Sequence, residues 1–395
     1  MNGRPDWAAV RDQKDALVTE LRQAKYADVL AAYPAITLVQ GRATLAEGPA
    51  LTLADGRTLT APRLVLATGA SPWSAPIPGL ADAAPLDSTS VMARDALPAS
   101  LAVIGGSAVG LELAQMFARL GVAVTVLEAL PTVVPGEDPA VGAALAAYLA
   151  AEGLRVEAGV AITSVARAAS GVRIPFSRDG TADQVVAEEV LVATGRRANT
   201  AGLGLEAAGV ALGRKGEVVV DDQLRTSLPG VFAAGDVTGD PMFVYVAAYA
   251  GAVASENALT DAGRRYDLTA LPRVTFTDPA VASVGLTEAQ ARDQGLTPLV
   301  SRLALSHVPR ALAARDTRGF IQLVADAQSR KIIGAQILAA EAGELVTEPA
   351  LAIRFGLTID DLTRAFHPYL TLSEGIKLAA QTFTRDVATL SCCAA

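Results

Sequence analysis

The residues best suited to chemistry lie in the segment LAVIGGSAVGLELAQMFARLGVAVTVLE, residues 101–128. An apolar stretch leads into a G-x-G-x-x-G pattern with Gly105 and Gly110 at its outer positions, Gly106 after the first and Ser107 in the middle. A helical stretch, a second apolar stretch and an acid follow in that order. A β-turn-α-β unit of this length binds a dinucleotide, because free N–H groups at the helix N-terminus hold the pyrophosphate.

Two residues of this segment bear on which dinucleotide binds. Ser107 stands where glycine usually lets the backbone approach a phosphate, and serine is the smallest departure from glycine and can offer a hydroxyl. Glu128 ends the second apolar stretch, where a carboxylate accepts a hydrogen bond from a ribose 2′-OH and repels a 2′-phosphate. The pattern favours NADH over NADPH. The alternative, that Glu128 is a solvated strand end, remains open.

Composition limits the class of protein. The 395 residues are 51% hydrophobic, enough for two or three domains, and a net charge of −8 without a basic run gives no indication of nucleic-acid binding, so no nucleic-acid partner is expected. The N-terminal residues lack the apolar core of a leader and no apolar run could cross a bilayer, which predicts a cytoplasmic location. Cys392 and Cys393 are adjacent and can close only a strained ring, which favours free thiols in a reducing compartment.

Among the helices and strands that must position these residues, one pattern occurs twice. Residues 7–33 have helical spacing, residues 36–66 predict strands with a hairpin at Asp55-Gly56, and an apolar strand runs into A-T-G twice, at 64–72 and at 190–198. The second copy has its opening glycine pattern at Gly105, whereas the first has none. We therefore expect a chain that begins partway through a first dinucleotide domain.

Later elements complete the predicted architecture. Residues 226–239 predict a turn, a buried strand and a Gly235-Asp236 corner, which places Asp236 where doubly wound folds bind ligands. The alternative is that Asp236 caps a helix predicted at 244–259. From residue 271 the pattern predicts strands at 272–278, 281–286, 320–325 and 332–338 with helices at 288–294, 342–355 and 372–383, a domain type in which subunits often meet.

These segments together resemble the flavoprotein disulfide reductases, and three phrases within them resemble the mercuric reductases: MFVYVAAYAG (242–251), FHPYLTLSEGIKLAAQTF (366–383) and LSCCAA (390–395). The resemblance covers essentially the whole chain. It implies an α/β fold with two nested Rossmann-like domains, the first truncated, and a C-terminal α+β dimerisation domain. The expected boundaries are 1–99 and 223–270 for the FAD domain, 100–222 for the NAD(P) domain and 271–395 for the interface.

The resemblance also implies roles for individual residues. Tyr369 stands where disulfide-reducing relatives have an activating histidine, and Glu374 matches the acid that orients that histidine. Glu112 matches an acid near the nicotinamide or is an ordinary first-turn helix acid. Apart from the resemblance, His367 is expected to be structural, because a lone histidine is more often a packed or capping group than a catalyst. The implied catalytic residues are Tyr369, Tyr245, Glu374, Cys392 and Cys393. The implied NAD(P) residues are Gly105, Gly106, Ser107, Gly110, Glu112, Glu128 and Gly195, and the implied FAD residues are Ala67, Thr68, Gly69, Gly235 and Asp236.

The implied activity is reduction of Hg(II) to Hg(0) by NAD(P)H through FAD and a cysteine pair. Soft thiolates bind soft ions, so Cys392 and Cys393 are expected to capture Hg(II), with Tyr369 and Tyr245 as further metal ligands in a homodimer. The family's C-x-x-x-x-C pair is not among these 395 residues, so we expect this chain alone to bind FAD poorly and turn over little. The alternatives are a dihydrolipoyl dehydrogenase-like reductase, or a non-catalytic remnant that binds nucleotide or mercury.

Overall fold

The computed structural model describes residues 5–168 and 171–390. The chain forms two compact units, each built from separated segments. The first unit contains residues 5–7, 75–194 and 268–390, and the second contains residues 8–74 and 195–267. Each unit has its own buried apolar core. No helix among these residues is long and apolar enough to cross a membrane.

The α-helices of the described residues are mostly short. In chain order they are α1 Trp7–Arg22, α2 Asp28–Ala31, α3 Ala108–Arg119, α4 Pro139–Ala151, α5 Val244–Thr260, α6 Glu288–Asp293, α7 Pro309–Ala314, α8 Ala342–Leu345, α9 Thr347–Phe355, α10 Ile359–Arg364 and α11 Glu374–Gln381.

The strands form several separate sheets. In chain order they are β1 Ala43–Leu45, β2 Ala50–Leu53, β3 Thr58–Thr60, β4 Leu64–Leu66, β5 Ala70–Pro72, β6 Ser100–Ile104, β7 Ala123–Glu128, β8 Arg155–Ala158, β9 Ala161–Ile162, β10 Ala166–Ala168, β11 Gly171–Arg178, β12 Thr181–Ala187, β13 Glu189–Val192, β14 Arg196–Ala198, β15 Val231–Ala233, β16 Arg273–Thr275, β17 Ala280–Gly285, β18 Pro298–Ala304, β19 Phe320–Asp326 and β20 Ile332–Ala339.

A parallel sheet in the order β13-β6-β7-β8 lies in the first unit. Strands β6, β7 and β13 consist mostly of apolar residues, as expected where helices cover a parallel sheet, whereas the edge strand β8 contains Arg155 and Glu157. Helix α3 buries Leu111, Ala114 and Phe117, three residues apart along the helix and therefore on one side of it. Phe117 is 1% exposed, and its truncation to alanine would cost about 3–5 kcal/mol.

The first unit also contains a sheet in the order β10-β11-β12, with β9 paired to β11, and a five-stranded antiparallel sheet in the order β16-β17-β20-β19-β18. Five polar residues lie in register across it: Arg273, Ser283, Gln336, Gln322 and Arg302. Asp138, which caps α4 by accepting from the Ala140 N–H, also accepts from the Gln322 amide at 3.0 Å and has its N–H 3.3 Å from Gln336 Oε1. This row of polar residues therefore contacts the start of α4.

The second unit contains three small sheets. Strands β1, β2 and β3 form an antiparallel sheet, with the predicted hairpin turn at Asp55-Gly56, where Gly56 has a φ of +89°. Strand β4 pairs in parallel with β15, and β5 pairs antiparallel with β14. The strands before and after the first A-T-G phrase thus pair with strands from residues 231–233 and 196–198, respectively.

The predicted elements differ from the observed ones in identifiable places. The helix predicted at 7–33 contains a π-helical turn, Gln23–Ala27, and the helix predicted at 342–355 is divided into α8 and α9. Pro349 lies in the first turn of α9, where its missing N–H cannot continue the hydrogen bonds of α8. The pattern also missed β18, α7 and α10, whose short runs mix charged and apolar residues.

Candidate functional site

The turn after β6 is possible only with glycine. A Cβ on Gly105 would lie 2.4 Å from the Ala193 carbonyl oxygen, and Gly105 has a left-handed φ of +113°. A Cβ on Gly110 would lie 2.0 Å from the Gly105 carbonyl oxygen. The first turn of α3 therefore packs directly on the strand-end loop, which is the close approach that a phosphate-binding turn requires.

Glu128 is part of this turn. Its Oε2 accepts from the Gly106 N–H at 2.6 Å and its Oε1 accepts from the Leu130 N–H at 2.8 Å. The residue is 8% exposed, so the interpretation of Glu128 as a solvated strand end is wrong. A carboxylate oxygen has more than one lone pair, so each Glu128 oxygen can accept a further bond.

Ser107 faces solvent at the beginning of α3. It is the N-cap residue, but its hydroxyl makes no hydrogen bond to any residue in ranges 5–168 and 171–390. The first N–H groups of a helix also have no partner within the helix. The hydroxyl and these N–H groups together offer several donors to an anionic ligand.

Glu112 does not lie in the first turn of α3, so its interpretation as a first-turn acid is wrong. Its Oε1 accepts from the backbone N–H of Phe276 at 2.8 Å. Burial raises the pKa of the Glu112 carboxyl, and the hydrogen bond from Phe276 opposes that increase. Gln115, one turn further, accepts from the Asp278 N–H at 2.8 Å and donates to the Asp278 carbonyl oxygen at 2.7 Å. One side of α3 is thus bonded to the loop between β16 and β17.

The second unit has its own strand edge with polar groups. Because β4 and β15 are parallel, residues 67–69 and the Gly235–Thr238 turn leave the sheet at the same edge. Asp236 lies 3.9 Å from the Arg196 guanidinium, whose Nη2 also donates to the Ala70 carbonyl oxygen. Helix α5 has Phe243 as its N-cap residue, so the interpretation of Asp236 as its cap is wrong. Arg196 therefore connects the two segments of this edge.

Gly195 lies in the second unit, whereas Gly105, Gly106, Ser107 and Gly110 lie in the first. Its φ is +128°, and its carbonyl oxygen accepts from the Trp73 N–H at 3.0 Å. The assignment of Gly195 to NAD(P) stays a prediction.

Tyr369 lies in an exposed, strained turn. Thr371 Oγ1 donates to the Pro368 carbonyl oxygen at 2.8 Å, and Leu370 has a φ of +66°, unusual for a residue with a side chain. Tyr369 is 59% exposed, and its hydroxyl bonds to no described residue. No hydrogen bond within the described ranges joins it to Glu374, which is buried with Oε2 unpartnered.

His367 is a packed residue, as predicted. Its Nε2 lies 2.7 Å from Glu348 Oε1, its side chain is 5% exposed, and the Glu348 carboxylate raises the pKa of the imidazole.

The remaining predicted metal ligands are separated in the chain. Tyr245 lies in the first turn of α5 and stacks on Phe243 with ring centroids 5.3 Å apart. Cys392 and Cys393 lie outside the described residues. Within residues 5–168 and 171–390, no group of histidine, cysteine, aspartate and glutamate side chains forms a metal site. The mercury site therefore stays a prediction.

Comparison with known proteins identifies the class. The chain belongs to the pyridine nucleotide-disulphide oxidoreductase family: the family model matches residues 5–251, and the model of its dimerisation domain matches residues 271–380. The chain is therefore a member of an oxidoreductase family, and the match at 271–380 supports a homodimer. The predicted α/β fold with Rossmann-like domains and a C-terminal dimerisation domain is confirmed.

Individual relatives are more specific. A mercuric reductase of Streptomyces lividans is 47% identical over 393 residues, which cover 98% of this chain and 82% of that protein. A mercuric reductase of Staphylococcus aureus is 43% identical over 392 residues, covering 99% and 71%. The solved HOCl-induced flavoprotein disulfide reductase RclA of Escherichia coli superimposes with a TM-score of 0.87 at 28% identity, covering 96% and 86%.

The family and its flavoprotein members support FAD together with a pyridine nucleotide as cofactors. The second unit has groups that suit FAD. The N–H groups of Ala67, Thr68 and Gly69 donate to no acceptor within the described part of the chain, and the Asp236 carboxylate lies at the same strand edge. Backbone N–H donors suit the anionic pyrophosphate of a flavin dinucleotide, and a carboxylate acceptor suits its hydroxyl groups.

Sequence reasoning missed two residues of this edge, Arg196 and Asn199. Asn199 bonds to Thr68, Gly69 and Ser71, a contact between segments about 130 residues apart. The signal present in the sequence was its place in the short segment that follows the second A-T-G phrase, after Arg196, Arg197 and Ala198.

Proposed function

We propose that the protein supplies NADH-dependent reduction of Hg(II), with overall stoichiometry NADH plus Hg(II) giving NAD⁺, Hg(0) and a proton. The observation that carries the proposal is the presence of a tyrosine, rather than a histidine, at position 369. A disulfide-reducing relative needs an imidazole at this position, whereas a phenol oxygen can contact a metal cation but cannot replace the imidazole as acid and base near neutral pH. Tyr369 is exposed in a strained turn and its hydroxyl bonds to no residue that the structure describes, which supports a ligand role.

NADH would bind between the Gly105 turn and Glu128. The first-turn N–H groups of α3 and the Ser107 hydroxyl would hold the pyrophosphate, and Glu128 would accept from the adenosine ribose. No lysine or arginine lies between Glu128 and Asp138 to accept a 2′-phosphate. We therefore propose NADH as the preferred nucleotide.

Comparing dissociation constants tests this preference. The wild-type chain is expected to bind NADH at least tenfold more tightly than NADPH, and Glu128→Gln is expected to reduce that ratio because the repelling charge is gone. Equal affinity of the wild-type chain for both nucleotides would contradict the assignment.

FAD would be held by residues 67–69 and by Gly235 and Asp236, and when bound it supplies two-electron transfer between a nicotinamide and an acceptor. The contribution of this chain is to bind and orient. Arg196 holds Asp236 beside the turn at residue 70, which keeps an acidic acceptor at the edge. The proposed division assigns residues 1–99 and 223–270 to this domain, 100–222 to the NAD(P) domain and 271–395 to the interface.

Hg(II) is the proposed substrate. Cys392 and Cys393 would bind the ion as thiolates and pass it on by ligand exchange, since thiolates are the softest ligands that a protein offers. Tyr369 and Tyr245 would then contact the ion through their phenol oxygens. Because these 395 residues contain no C-x-x-x-x-C pair, we propose that turnover by this chain alone is slow.

The test measures NADH oxidation by the purified chain with Hg(II) and, separately, with oxidised lipoamide. We expect slow oxidation that depends on Hg(II) and exceeds the lipoamide rate, and Tyr369→Phe should lower the Hg(II) rate without changing NADH affinity. A higher lipoamide rate would favour the disulfide reductase alternative.

A second candidate is favoured by the absence of that cysteine pair from the sequence. A chain that binds Hg(II) without oxidising NADH would be a mercury-binding protein rather than a reductase. Equilibrium dialysis with Hg(II) is expected to show a tight site that disappears in the double variant Cys392→Ala, Cys393→Ala. Tight binding that survives in the double variant would contradict the role of the two cysteines.

A further inference from the structure

Asn199 uses all of its polar groups on one short segment of the second unit. Its backbone N–H donates to the Gly69 carbonyl oxygen at 2.9 Å, and its carbonyl oxygen accepts from the Thr68 hydroxyl at 2.8 Å. Its Nδ2 donates to the Thr68 carbonyl oxygen at 2.9 Å, and its Oδ1 accepts from the Ser71 hydroxyl at 2.8 Å. One asparagine therefore holds residues 68–71 by four hydrogen bonds.

The part of this segment that precedes β5 has little other support. Residues 67–69 form no strand or helix, Gly69 has a left-handed φ of +71°, and Ala67 and Thr68 are exposed. The three N–H groups of residues 67–69 donate to nothing in the described ranges. An exposed turn without ladder hydrogen bonds samples several conformations unless other contacts restrict it. Asn199 provides that restriction.

The chemistry requires asparagine. The side chain must donate to a carbonyl oxygen and accept from a hydroxyl at the same time, and a side-chain amide does both with fixed geometry. Aspartate could accept from Ser71 but would place a second acceptor against the Thr68 carbonyl oxygen. An aliphatic residue would leave the Thr68 carbonyl and the Ser71 hydroxyl without these partners.

We propose that Asn199 is a positioning residue for FAD, which holds residues 67–69 so that their N–H groups face the cofactor. This inference rests on the proposed function, because it takes residues 67–69 to be part of the FAD site. Asn199 acts through the turn rather than by touching the reacting atoms. Holding the donors in place before binding removes an ordering cost that FAD would otherwise meet.

A matched control distinguishes positioning from simple destabilisation. Asn257 belongs to the same unit, is 1% exposed, and donates through Nδ2 to the carbonyl oxygens of Gln223 and Arg264 while accepting from the Arg264 N–H. It bonds to no residue of the 67–71 segment. Asn257→Ala should therefore lower the stability of the second unit at least as much as Asn199→Ala does, without changing the turn.

The experiment titrates FAD into each full chain and follows the quenching of flavin fluorescence. We expect Asn199→Ala to raise the Kd for FAD about tenfold, and Asn199→Asp to do the same because it lacks the donor to Thr68. Asn257→Ala is expected to leave the Kd within about twofold of wild type. The Kd for NADH, measured in parallel by nicotinamide fluorescence, should be unchanged in all three variants.

Each outcome decides the inference. If both Asn199 variants bound FAD as tightly as wild type, the positioning role of Asn199 would be refuted and the FAD assignment of residues 67–69 would stand. A loss of FAD affinity in Asn257→Ala as large as that in Asn199→Ala would refute the positioning role in the same way. Absence of saturable FAD binding by the wild-type chain would refute the FAD assignment of the proposed function and this inference with it. If Asn199→Ala does not fold, Asn199→Asp gives the decisive comparison, because it replaces only the side-chain NH₂ group by an oxygen.

Discussion

Replacing Gly110 by alanine is the sharpest test of the nucleotide turn. The added Cβ would lie 2.0 Å from the Gly105 carbonyl oxygen, 3.0 Å from its carbon and 3.3 Å from the Ala193 Cβ. Ordinary contact begins at 3.4 Å, so the loop and the helix would have to separate by roughly 1 Å. Because the obstructing atoms belong to the backbone, no change of rotamer relieves the overlap.

The expected cost follows from this geometry. Overpacking a tight site costs about 1–3 kcal/mol, and a clash with backbone belongs near the upper value. The movement also displaces the first-turn N–H groups of α3, so the Kd for NADH should rise at least tenfold, or about 1.4 kcal/mol. Urea unfolding measures the first quantity, and nicotinamide fluorescence on mixing with NADH measures the second.

Gly136→Ala is the matched control. A Cβ at Gly136 meets nothing within 4 Å, and the φ of Gly136 is not left-handed. The free energy of unfolding of Gly136→Ala should therefore stay within about 0.5 kcal/mol of the wild-type value. If Gly110→Ala bound NADH as tightly as wild type and unfolded at the same urea concentration, the close packing of the turn on α3 would not be what makes glycine necessary.

Further expected outcomes concern the first unit. Asp138→Ala removes the cap of α4 and the partner of Gln322 and should cost about 2–4 kcal/mol by urea unfolding, whereas Asp138→Asn, which keeps a capping oxygen, should lose less. Gln115→Ala breaks two bonds to the Asp278 backbone and should cost about 2–3 kcal/mol; a loss below about 0.5 kcal/mol would show that those bonds add nothing. Burial raises the pKa of the Glu137 carboxyl, so its contribution to stability is present below about pH 4 and is lost as pH rises through the raised value. Glu137→Gln has no carboxyl group to ionise, so its free energy of unfolding relative to that of wild type should increase between about pH 4 and pH 8. A difference in free energy of unfolding that stays constant across these pH values would contradict the reasoning.

The sequence predicted the parts of the fold that local spacing determines. The strand, glycine turn, helix and acid of residues 101–128 follow from residues that are neighbours in the chain, and the structure has β6, α3 and β7 there. The helix begins at Ala108, directly after Ser107 of the glycine pattern, so the turn and the helix follow each other as predicted. The exposed strand end predicted as an alternative for Glu128 was wrong, since the glycine turn folds back onto that carboxylate.

Contacts between distant segments could not be predicted in the same way. Gln115 and Asp278 are 163 residues apart, and Glu112 and Phe276 are 164 apart, so no local pattern connects them. Strand β18 is an edge strand that begins with Pro298 and contains Arg302, which conceals its alternation. The place of a residue in the sequence predicts the helix or strand to which it belongs. Which residue its side chain contacts depends on how the helices and strands pack in the folded unit.

The two A-T-G phrases show how much that assembly adds. Each phrase is followed by a short strand, β5 after residues 67–69 and β14 after residues 193–195, and these two strands pair with each other in antiparallel register. As a result, the residues that follow the second phrase fix the turn formed by the first: Arg196 bonds to the Ala70 carbonyl and Asn199 to Thr68 and Ser71. A substitution between residues 196 and 199 should therefore act first on the strand edge at residues 67–69, although it lies next to a different phrase in the sequence.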